Sequence, residues 1–417
     1  MKKETTYQKI SSYEAKKGEF KKCLLLYSGG LDTSVMLKWI QEEYDCEVIT
    51  LTLDLGQQAD NLQEIKQKAL NLGAKKAILF DAKDEFAKLC LESVKANADY
   101  QGGYALGCPL GRVIISKIAT QIADQENCKV VAHGCTGKGN DQVRFETYIQ
   151  TLNPNLKIIA PVREWAMGRD EEIAYAKKHN IPVEQSKKSP YSYDENMWSN
   201  TAEGGEIEKP SIEPPLNKIL KWCNTLDKTP DQPEYISIYF DKGIATKLNN
   251  HDLNPKDLIA KLNQTGGKHG IGYTHLIEDR VVGLKVRGIY ENPAAHILIQ
   301  AHKNLEKLVS TREENYFKES IDNKWAYLCY GAQFFEPLMD NLKAYIDMQN
   351  KKVCGTVKVK LFKGNCEVVS LNSKKSLFDE NLATFNKSTS FNQNCSPGFI
   401  EIWSLPQKTS YKLNLNE

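Results

Sequence analysis

The chain lacks any long hydrophobic run. None of its apolar stretches approaches the roughly 20 consecutive residues that an α-helix needs to span a bilayer. The N-terminal stretch from Met1 to Lys22 is polar and Lys-rich, and it contains no apolar segment of the kind found in secretory signals. These absences predict a cytoplasmic protein with no membrane partner, and a disordered or loosely attached leader over residues 1–21.

The chain also lacks an excess of charge of either sign. Its 55 Lys and Arg residues nearly balance its 53 Asp and Glu residues, so the formal net charge is +2. A charge this small creates no global field that would hold a nucleic-acid backbone, although a local basic patch stays compatible with it. We therefore expect no nucleic-acid partner.

Cysteine is present, but not in the patterns that build disulfide or zinc sites. The 11 cysteines are odd in number and include no C-x-x-C pair, which argues against a disulfide framework and against a Cys-based zinc site. The sequence shows no cluster of histidines with carboxylates, so we predict no dedicated protein metal site. Buried free thiols suit a reducing compartment, which again favours the cytoplasm.

The first half of the chain alternates short apolar runs with helical patterns. The predicted strands are Cys23–Tyr27, Val48–Leu53, Ala77–Phe80, Val130–His133 and Ile158–Pro161. The predicted helices between them are Thr33–Glu43, Asn61–Leu72, Glu85–Ala98, Arg112–Gln125 and Arg169–His179. Such alternation is typical of a parallel sheet covered by helices, so we predict an α/β domain over residues 22–188.

In the second half the strict alternation stops, which predicts a mixed α+β domain over residues 189–385 and a C-terminal segment over residues 386–417. The predicted strands are Tyr235–Phe240, Lys247–Leu248, Arg280–Val286, Cys354–Phe362, Cys366–Ser370 and Phe399–Trp403. The predicted helices are Leu253–Gln264, Ala294–Leu308 and Tyr327–Asn350. Two stretches rich in turn-forming residues, Ser189–Trp198 and Thr201–Gly205, are predicted to be loops.

The most informative stretch, Tyr27–Ser34, reads Y-S-G-G-L-D-T-S and directly follows the first predicted strand. Its glycines allow a tight turn and the close approach of an anion. Asp32, Thr33 and Ser34 stand at the predicted helix start as capping residues, where free N–H groups and the helix dipole favour a phosphate. The alternative is an ordinary strand-to-helix turn, which uses the same residue types in less specific order. The chain contains no Walker G-x-x-x-x-G-K-[ST] motif.

A second loop, His133–Glu146, follows the fourth predicted strand and combines three glycines with many polar groups. Asp141, Arg144 and Phe145 have the spacing of residues that share one helix face. Because the carboxyl ends of parallel strands meet at one edge of a sheet, we expect this loop to lie beside the first. A solvated surface loop is the alternative. Leu53, which ends the second predicted strand, would border a bound adenine there or belong to the core.

Together these stretches resemble the argininosuccinate synthases, which are N-type ATP pyrophosphatases. The similarity runs from about Lys22 to Pro406 and includes Tyr27–Ser34, His133–Glu146, Ser189–Asn196, Glu203–Gly205, Lys268–Gly272, Glu278–Tyr290 and Gly355–Leu361. The resemblance implies a nucleotide-binding domain of the ATP pyrophosphatase type, followed by an α+β synthetase domain and a C-terminal oligomerisation segment. It also implies an ATP-dependent carbon–nitrogen ligase of arginine biosynthesis. Such an enzyme joins L-citrulline to L-aspartate through a citrullyl-adenylate and releases AMP and pyrophosphate.

The resemblance further implies roles for individual residues of this sequence. The ATP-binding residues would be Tyr27, Ser28, Gly29, Gly30, Leu31, Asp32, Thr33, Ser34, Leu53 and Gly134. Aspartate would be held by Thr136, Asn140 and Asp141, and citrulline by Tyr104, Asn140, Arg144, Ser192, Thr201, Glu278 and Tyr290. Asp32, Asp141 and Arg144 would be the catalytic residues, with Asp32 as the carboxylate on the side of the Mg²⁺ that accompanies ATP. The family also implies a homotetramer.

A few positions depart from the usual pattern of this family. Cys108 and Pro109 stand where Thr or Ser is frequent, and Thr201 stands where Ser is usual. Ala295 and His296 replace a Gly-Thr pair. Pro109 offers neither a hydroxyl nor an N–H, so any side-chain contact to citrulline at that position is lost.

Two other functions stay open from the sequence alone. One is an ATP pyrophosphatase that adenylates a different acceptor, such as a tRNA-modifying enzyme, and the missing C-x-x-C pair and small net charge disfavour it. The other is a catalytically silent nucleotide-binding or scaffold protein. The presence of Asp32, Asp141 and Arg144 disfavours that second alternative.

Overall fold

The first half of the chain folds around a five-stranded parallel sheet. The computed structural model of the protein describes residues 7–58, 61–165, 167–182, 190–384 and 391–415. The strands of this sheet are β1 (Lys22–Leu26), β2 (Glu47–Asp54), β3 (Lys76–Asp81), β4 (Val130–Ala132) and β5 (Lys157–Ile159). The helices of this half are α1 (Leu31–Tyr44), α2 (Leu62–Asn71), α3 (Lys83–Lys95), α4 (Gly107–Gln125), α5 (Asn140–Leu152), α6 (Pro161–Glu164) and α7 (Arg169–Lys178).

Strand β1 lies at the centre of this sheet, whose order is β3-β2-β1-β4-β5 with parallel neighbours throughout. Its residues Cys23, Leu24 and Leu25 are fully buried, as expected for a strand that is covered on both faces. The chain leaves β1 toward β2 and later returns on the other side of it at β4. The switch in connection therefore lies between β1 and β4, and the loops after these two strands open into one crevice.

The predicted α/β class is confirmed, and every predicted element of this half is present with its ends shifted by at most five residues. The predicted cap of α1 is wrong. The helix begins at Leu31, its N-cap is Gly30, and no side chain caps it. Asp32, Thr33 and Ser34 therefore occupy the second to fourth helical positions instead of the cap.

The second half of the chain contains two antiparallel sheets. Its strands are β6 (Tyr191–Glu195), β7 (Asn200–Gly204), β8 (Glu234–Asp241), β9 (Ile244–Leu248), β10 (His251–Asp252), β11 (Tyr273–Asp279), β12 (Lys285–Glu291), β13 (Gly355–Phe362) and β14 (Asn365–Asn372). Its helices are α8 (Leu216–Ile219), α9 (Pro255–Lys268), α10 (Pro293–Val309), α11 (Arg312–Tyr330), α12 (Pro337–Asn350), α13 (Glu380–Ala383), α14 (Ser396–Trp403) and α15 (Leu405–Asn414). One sheet has the order β10-β9-β8-β13-β14 and the other the order β11-β12-β7-β6.

The stretches predicted as loops around residues 189–205 instead form the hairpin of β6 and β7; Ser189 itself lies outside the described residues. Tyr191 and Tyr193 alternate along β6 and pack against a small apolar cluster that contains Ala202 and Ile289. This burial of alternate side chains outweighs the local preference of the turn formers.

Three further predictions in this half are wrong. The predicted strand Arg280–Val286 spans the turn between β11 and β12, where Arg280 N–H donates to the Leu284 carbonyl at 2.8 Å. The single predicted helix Tyr327–Asn350 is two helices, α11 and α12, separated by residues that include Ala332 with a φ of +63°. The predicted strand Phe399–Trp403 is part of helix α14, because a short apolar run alone does not distinguish a strand from a helix.

The leader is folded over residues 7–21, so the prediction of a loose leader is wrong there, while residues 1–6 lie outside the described part of the chain. Ala15 N–H donates to the Ile158 carbonyl at 2.9 Å, and Ile158 N–H donates to the Tyr13 carbonyl at 2.9 Å. Ala15 and Phe20 are buried in the core on the β1–α1 side of the sheet. Ala15, Phe20 and the backbone bonds to the edge strand β5 thus hold residues 7–21 in place, although the polar composition of this stretch predicted disorder.

One of the hydrophobic clusters of the protein is shared by the two halves of the chain. A single cluster of buried side chains extends from Leu24 and Phe86 in the first half to Phe240 and Leu298 in the second. Among the residues that the structure describes, no helix is both long enough and apolar enough to cross a membrane.

The start of α4 packs closely against the hairpin of the second half. The Asn196 side chain donates to the Gly107 carbonyl at 3.2 Å, and the fully buried Trp198 donates its indole N–H to the Ala105 carbonyl at 2.9 Å. A Cβ on Gly107 would lie 2.7 Å from the Ser199 Cβ and would overlap its hydroxyl. This junction places α4 beside β6 and β7.

We expect Gly107→Ala to destabilise the protein by about 1–3 kcal/mol, because a methyl group there forces α4 and Ser199 apart. The shift of the urea unfolding midpoint measures this effect, and Ser199→Gly in the same chain should restore part of it. Gly137→Ala is the control, since nothing lies within 4 Å of an added Cβ at that position. An unchanged midpoint for Gly107→Ala would show that the junction is not tightly packed.

Candidate active site

Two adjoining cavities lie at the crevice between the carboxyl ends of β1 and β4. The first, of about 480 Å³, is lined by Tyr27, Ser28 and the end of β2, including Leu53. The second, of about 460 Å³, lies between the loop after β4, helices α4 and α5, and the sheet that contains β6, β7, β11 and β12. Asp194 lines both cavities, so they meet at this residue.

The loop after β1 is shaped to leave backbone donors free at the start of α1. Gly29 has a φ of +81°, and a Cβ there would lie 2.8 Å from Ile65, so this position requires glycine. Lys68 donates to the Gly29 carbonyl at 2.8 Å. Because the first N–H groups of a helix have no intrahelical partner, those of Leu31 to Thr33 are available to an anion.

Ser34 supports this loop from inside the protein. It is fully buried, and its hydroxyl donates to the Gly30 carbonyl at 2.8 Å. The Tyr27 hydroxyl lies 2.9 Å from the Ser34 hydroxyl oxygen and donates to it. The Ser34 side chain therefore holds the loop in shape, while Ser28 and Thr33, 3.2 Å apart, stand at its exposed surface.

Asp32 lies at the exposed edge of this loop, in an ion pair of 2.6 Å with Arg169. Glu172 lies beside the pair, and burial together with the negative charge of Asp32 raises its pKa to about 7. Within the described ranges, no group of three or more His, Cys, Asp or Glu side chains is arranged to hold a metal ion.

The second cavity brings together all nine residues that the sequence assigned to citrulline and aspartate. They are Tyr104, Thr136, Asn140, Asp141, Arg144, Ser192, Thr201, Glu278 and Tyr290. These residues come from the turn before α4, the loop after β4, α5, and four strands of the second half. Gly134, assigned to ATP, also lines this cavity, and a Cβ on it would lie 2.5 Å from Met36.

The charge on this side of the cavity is carried by Asp141 and Arg144, and Asp141 also pairs with Arg112, which lines the first cavity. The Asp141 carboxylate accepts hydrogen bonds from Arg112 at 2.7 Å and from Arg144 at 3.0 Å. Arg112 also pairs with Asp194. The two guanidinium groups outweigh the effect of burial and hold the pKa of Asp141 well below its usual range. This carboxylate is therefore ionised before any substrate arrives.

Among the described residues, one side-chain N–H of Asn140 has no hydrogen-bond partner. Its side-chain oxygen accepts from Val281 N–H at 2.9 Å, and its amide nitrogen donates to the Tyr330 hydroxyl at 2.7 Å. These partners fix the orientation of the amide and leave one N–H available. Tyr330 also accepts two bonds from Arg144 through its carbonyl oxygen, at 3.1 and 3.2 Å, so it holds two residues of the cavity wall.

The far wall of the cavity contains a buried acid, Glu278, and a buried tyrosine, Tyr290. Burial raises the pKa of Glu278, whose carboxylate lies 3.6 Å from the Arg280 guanidinium. Arg280 is held in turn by Glu203, whose two oxygens accept from it at 2.7 and 2.8 Å. The Tyr290 hydroxyl is buried beside Glu278, and burial together with the negative charge of Glu278 raises the pKa of this hydroxyl.

Cys108 lines the cavity, and its thiol lies 3.8 Å from the Thr201 hydroxyl. Burial raises the pKa of this thiol, so it is neutral and weakly nucleophilic. Pro109 lies in the first turn of α4, where its missing N–H costs no hydrogen bond.

Five residues of this neighbourhood carry structural roles that the sequence did not assign. They are Arg112, Asp194, Glu203, Arg280 and Tyr330. Asp194, Glu203 and Arg280 stand inside the motif segments, and Arg112 begins the predicted helix Arg112–Gln125. The opposite charges of these residues were a signal for ion pairs that the sequence analysis did not use. Tyr330 belongs to no motif, and only its contacts show its position.

Two family models match most of the chain. The arginosuccinate synthase N-terminal HUP domain matches residues 22–182, and the arginosuccinate synthase C-terminal domain matches residues 191–410. The chain is 45% identical to the argininosuccinate synthase of Symbiobacterium thermophilum over 389 residues, which cover 93% of this chain and 97% of that protein. It is 46% identical to that of Pyrococcus furiosus, over 94% of each chain. It is 44% identical to that of Clostridium perfringens, over 95% of this chain and 99% of that protein.

We expect Asp141→Ala to lower the free energy of unfolding by about 2–3 kcal/mol, because Arg144 and Arg112 lose the carboxylate that neutralises them. The exposed pair of Asp32 and Arg169 provides the control, and Asp32→Ala should cost less than about 1 kcal/mol. Chemical denaturation at several pH values measures both. The Asp141 effect should be full above about pH 4 and shrink as the pH falls below the ordinary Asp pKa of 3.8. Equal costs for the two variants would show that the buried pairs of Asp141 stabilise the fold no more than an exposed pair does.

Proposed function

The chain belongs to the argininosuccinate synthase family and is an ATP-dependent carbon–nitrogen ligase that condenses citrulline with aspartate in arginine biosynthesis, and on this premise we propose how its residues divide the reaction. The cavity after β1 takes ATP, and the cavity after β4 takes the two amino acids. The observation that carries this division is that nine residues from distant parts of the chain line one cavity, which meets at Asp194 the cavity lined by Tyr27 and Ser28 of the loop after β1.

We propose that ATP contacts the segment from Tyr27 to Ser34 together with Leu53 and Gly134. The free N–H groups at the start of α1 bind its phosphates, and Leu53 borders the adenine. Ser34 contributes by holding the loop, since its hydroxyl already bonds to Gly30. Asp32 fits Mg²⁺ as a single exposed carboxylate, because this ion is commonly held by one or two carboxylates plus substrate phosphates. When bound, Mg²⁺ neutralises phosphate charge.

Aspartate is assigned to Thr136, Asn140 and Asp141. The ionised Asp141 attracts the aspartate ammonium group, and Thr136 offers a hydroxyl to a carboxylate. The low pKa of Asp141 makes it a weak base, so its catalytic role is to orient the amine by charge. The single free N–H of Asn140 completes this side of the cavity.

Citrulline is assigned to Tyr104, Asn140, Arg144, Ser192, Thr201, Glu278 and Tyr290. Its ureido oxygen attacks the α-phosphorus of ATP and releases pyrophosphate, and the amine of aspartate then displaces AMP from the citrullyl-adenylate. No covalent bond to the protein is needed, so the residues act through positioning and charge. Arg144 is placed for this by the carbonyl of Tyr330.

We also propose a cytoplasmic homotetramer, organised as a leader (1–21), a nucleotide-binding domain (22–188), a synthetase domain (189–385) and a C-terminal segment (386–417). The apolar side chains of α14 and α15 support an interface at the C-terminal segment. Phe399, Ile402 and Trp403 are 61%, 71% and 65% exposed in the single chain, which is a large apolar surface for water to cover.

The experiment that tests the function measures pyrophosphate and AMP from the purified protein with ATP and Mg²⁺. It is run with citrulline, with aspartate, with both and with neither. Sustained release that requires both amino acids is the expected result. Release that ignores citrulline would instead support a different acceptor, and no release with ATP still bound would support a silent nucleotide-binding protein.

We expect Asp141→Asn to raise the KM for aspartate by at least about tenfold, because the variant keeps the side-chain volume and loses the charge that attracts the ammonium group. Binding of ATP, measured by calorimetry, should stay unchanged. Normal saturation by aspartate in this variant would contradict the assignment of Asp141.

We expect Tyr290→Phe to raise the KM for citrulline by about fivefold to tenfold while the KM for ATP stays within twofold, since a buried hydroxyl is then lost from the cavity that takes citrulline. Tyr191→Phe is the control, because that hydroxyl donates to Glu206 outside the cavity. Equal losses for citrulline and ATP would count against this position.

A further inference from the structure

The leader binds the edge of the parallel sheet beside the proposed active site. The N-terminal family model begins at residue 22, so residues 7–21 lie outside its match and are nevertheless folded. The backbone bonds of Tyr13 and Ala15 to Ile158 extend the sheet past β5. Glu14 is buried, and its carboxylate accepts from Ile10 N–H and Ser11 N–H at 3.0 Å each, which closes the turn before Tyr13. Tyr13 is therefore held in one place.

From this position Tyr13 reaches a buried carboxylate on α5. Its hydroxyl donates to Glu146 Oε2 at 2.8 Å. The other oxygen, Oε1, lies 3.0 Å from His133 Nε2 and 2.7 Å from Arg163 Nη1. Glu146 is 6% exposed and shares α5 with Asn140, Asp141 and Arg144.

His133 links Glu146 to the loop after β4. Its Nδ1 accepts from Cys135 N–H at 3.2 Å, so this nitrogen carries no proton. The proton of the neutral ring is therefore on Nε2, which donates to Glu146. The carboxylate thus selects the tautomer that fixes the backbone of Cys135, between Gly134 and Thr136.

We propose that the leader is a brace for the aspartate side of the active site, with Tyr13 as its positioning residue. Among the described residues, the Tyr13 hydroxyl is the partner of Glu146 Oε2, and it keeps the carboxylate turned so that Oε1 faces His133. Without this hydroxyl, Glu146 is free to turn both oxygens toward Arg163 and release the ring of His133. This inference rests on the proposed function, in which Thr136, Asn140 and Asp141 hold aspartate.

The test compares Tyr13→Phe with the unmodified full-length protein. The variant keeps the ring and removes the hydroxyl, and it should raise the KM for aspartate about threefold to tenfold while the KM values for ATP and citrulline stay within twofold. Tyr175→Phe is the matched control, since that hydroxyl donates to Glu42 at 2.7 Å on another face of the protein and should change none of the three.

Two measurements show whether Tyr13 acts through Glu146 and His133. Hydrogen exchange of the peptide that contains Cys135 should become faster in Tyr13→Phe and not in Tyr175→Phe. In a Glu146→Gln background, Tyr13→Phe should have no further effect on the KM for aspartate. The contact of the Glu146 carboxylate with His133, through which Tyr13 acts on the loop, is already lost in that background.

The outcomes distinguish the brace from the site assignment. Unchanged exchange at Cys135 in Tyr13→Phe would overturn the brace, whatever the kinetics show. Faster exchange with an unchanged KM for aspartate would uphold the brace and instead refute the assignment of this loop to aspartate. A full, additive effect of Tyr13→Phe in the Glu146→Gln background would show that Tyr13 acts by another route.

Discussion

The carboxylate of Asp141 is the interaction on which the rest of the active site depends. It binds Arg112 of α4 and Arg144 of α5, while Arg112 reaches Asp194 of β6 and Arg144 reaches the carbonyl of Tyr330 at the end of α11. One partly buried negative charge thus connects the parallel-sheet half with elements of the second half. Since the guanidinium groups of Arg144 and Arg112 are largely buried and buried charges need partners, these ion pairs hold the elements together around the cavity.

The parts of the fold that the sequence predicted are those governed by burial and local geometry. The strands and helices of the parallel sheet follow from their apolar runs, and the position of the two glycine loops follows from the order of those strands. Two of the errors occurred where tertiary contacts outweigh local preference. The residues of β6 and β7 carry turn formers but pair with each other and with β12, and the leader is polar but lies against the edge of β5.

In the candidate site too, some features were predicted from the sequence and others were not. The resemblance of the motifs to a known family brought together nine residues that the structure places in one cavity. It did not distinguish residues that face the cavity from those that support it. Ser34 is an example, because its hydroxyl is used inside the loop. Tyr330 is the opposite case, since it stands outside every motif and yet orients Asn140 and Arg144 through contacts that only a folded chain creates.

The core that runs without interruption through both halves limits how this protein moves. Leu24 and Phe86 belong to the same buried cluster as Phe240 and Leu298, so a rigid-body hinge between the halves would open apolar surface to water at every opening. Access to the crevice must therefore come from its loops, whose glycines bend without disturbing the core. Unfolding of either half would likewise expose this shared apolar surface, so the stabilities of the two halves are coupled.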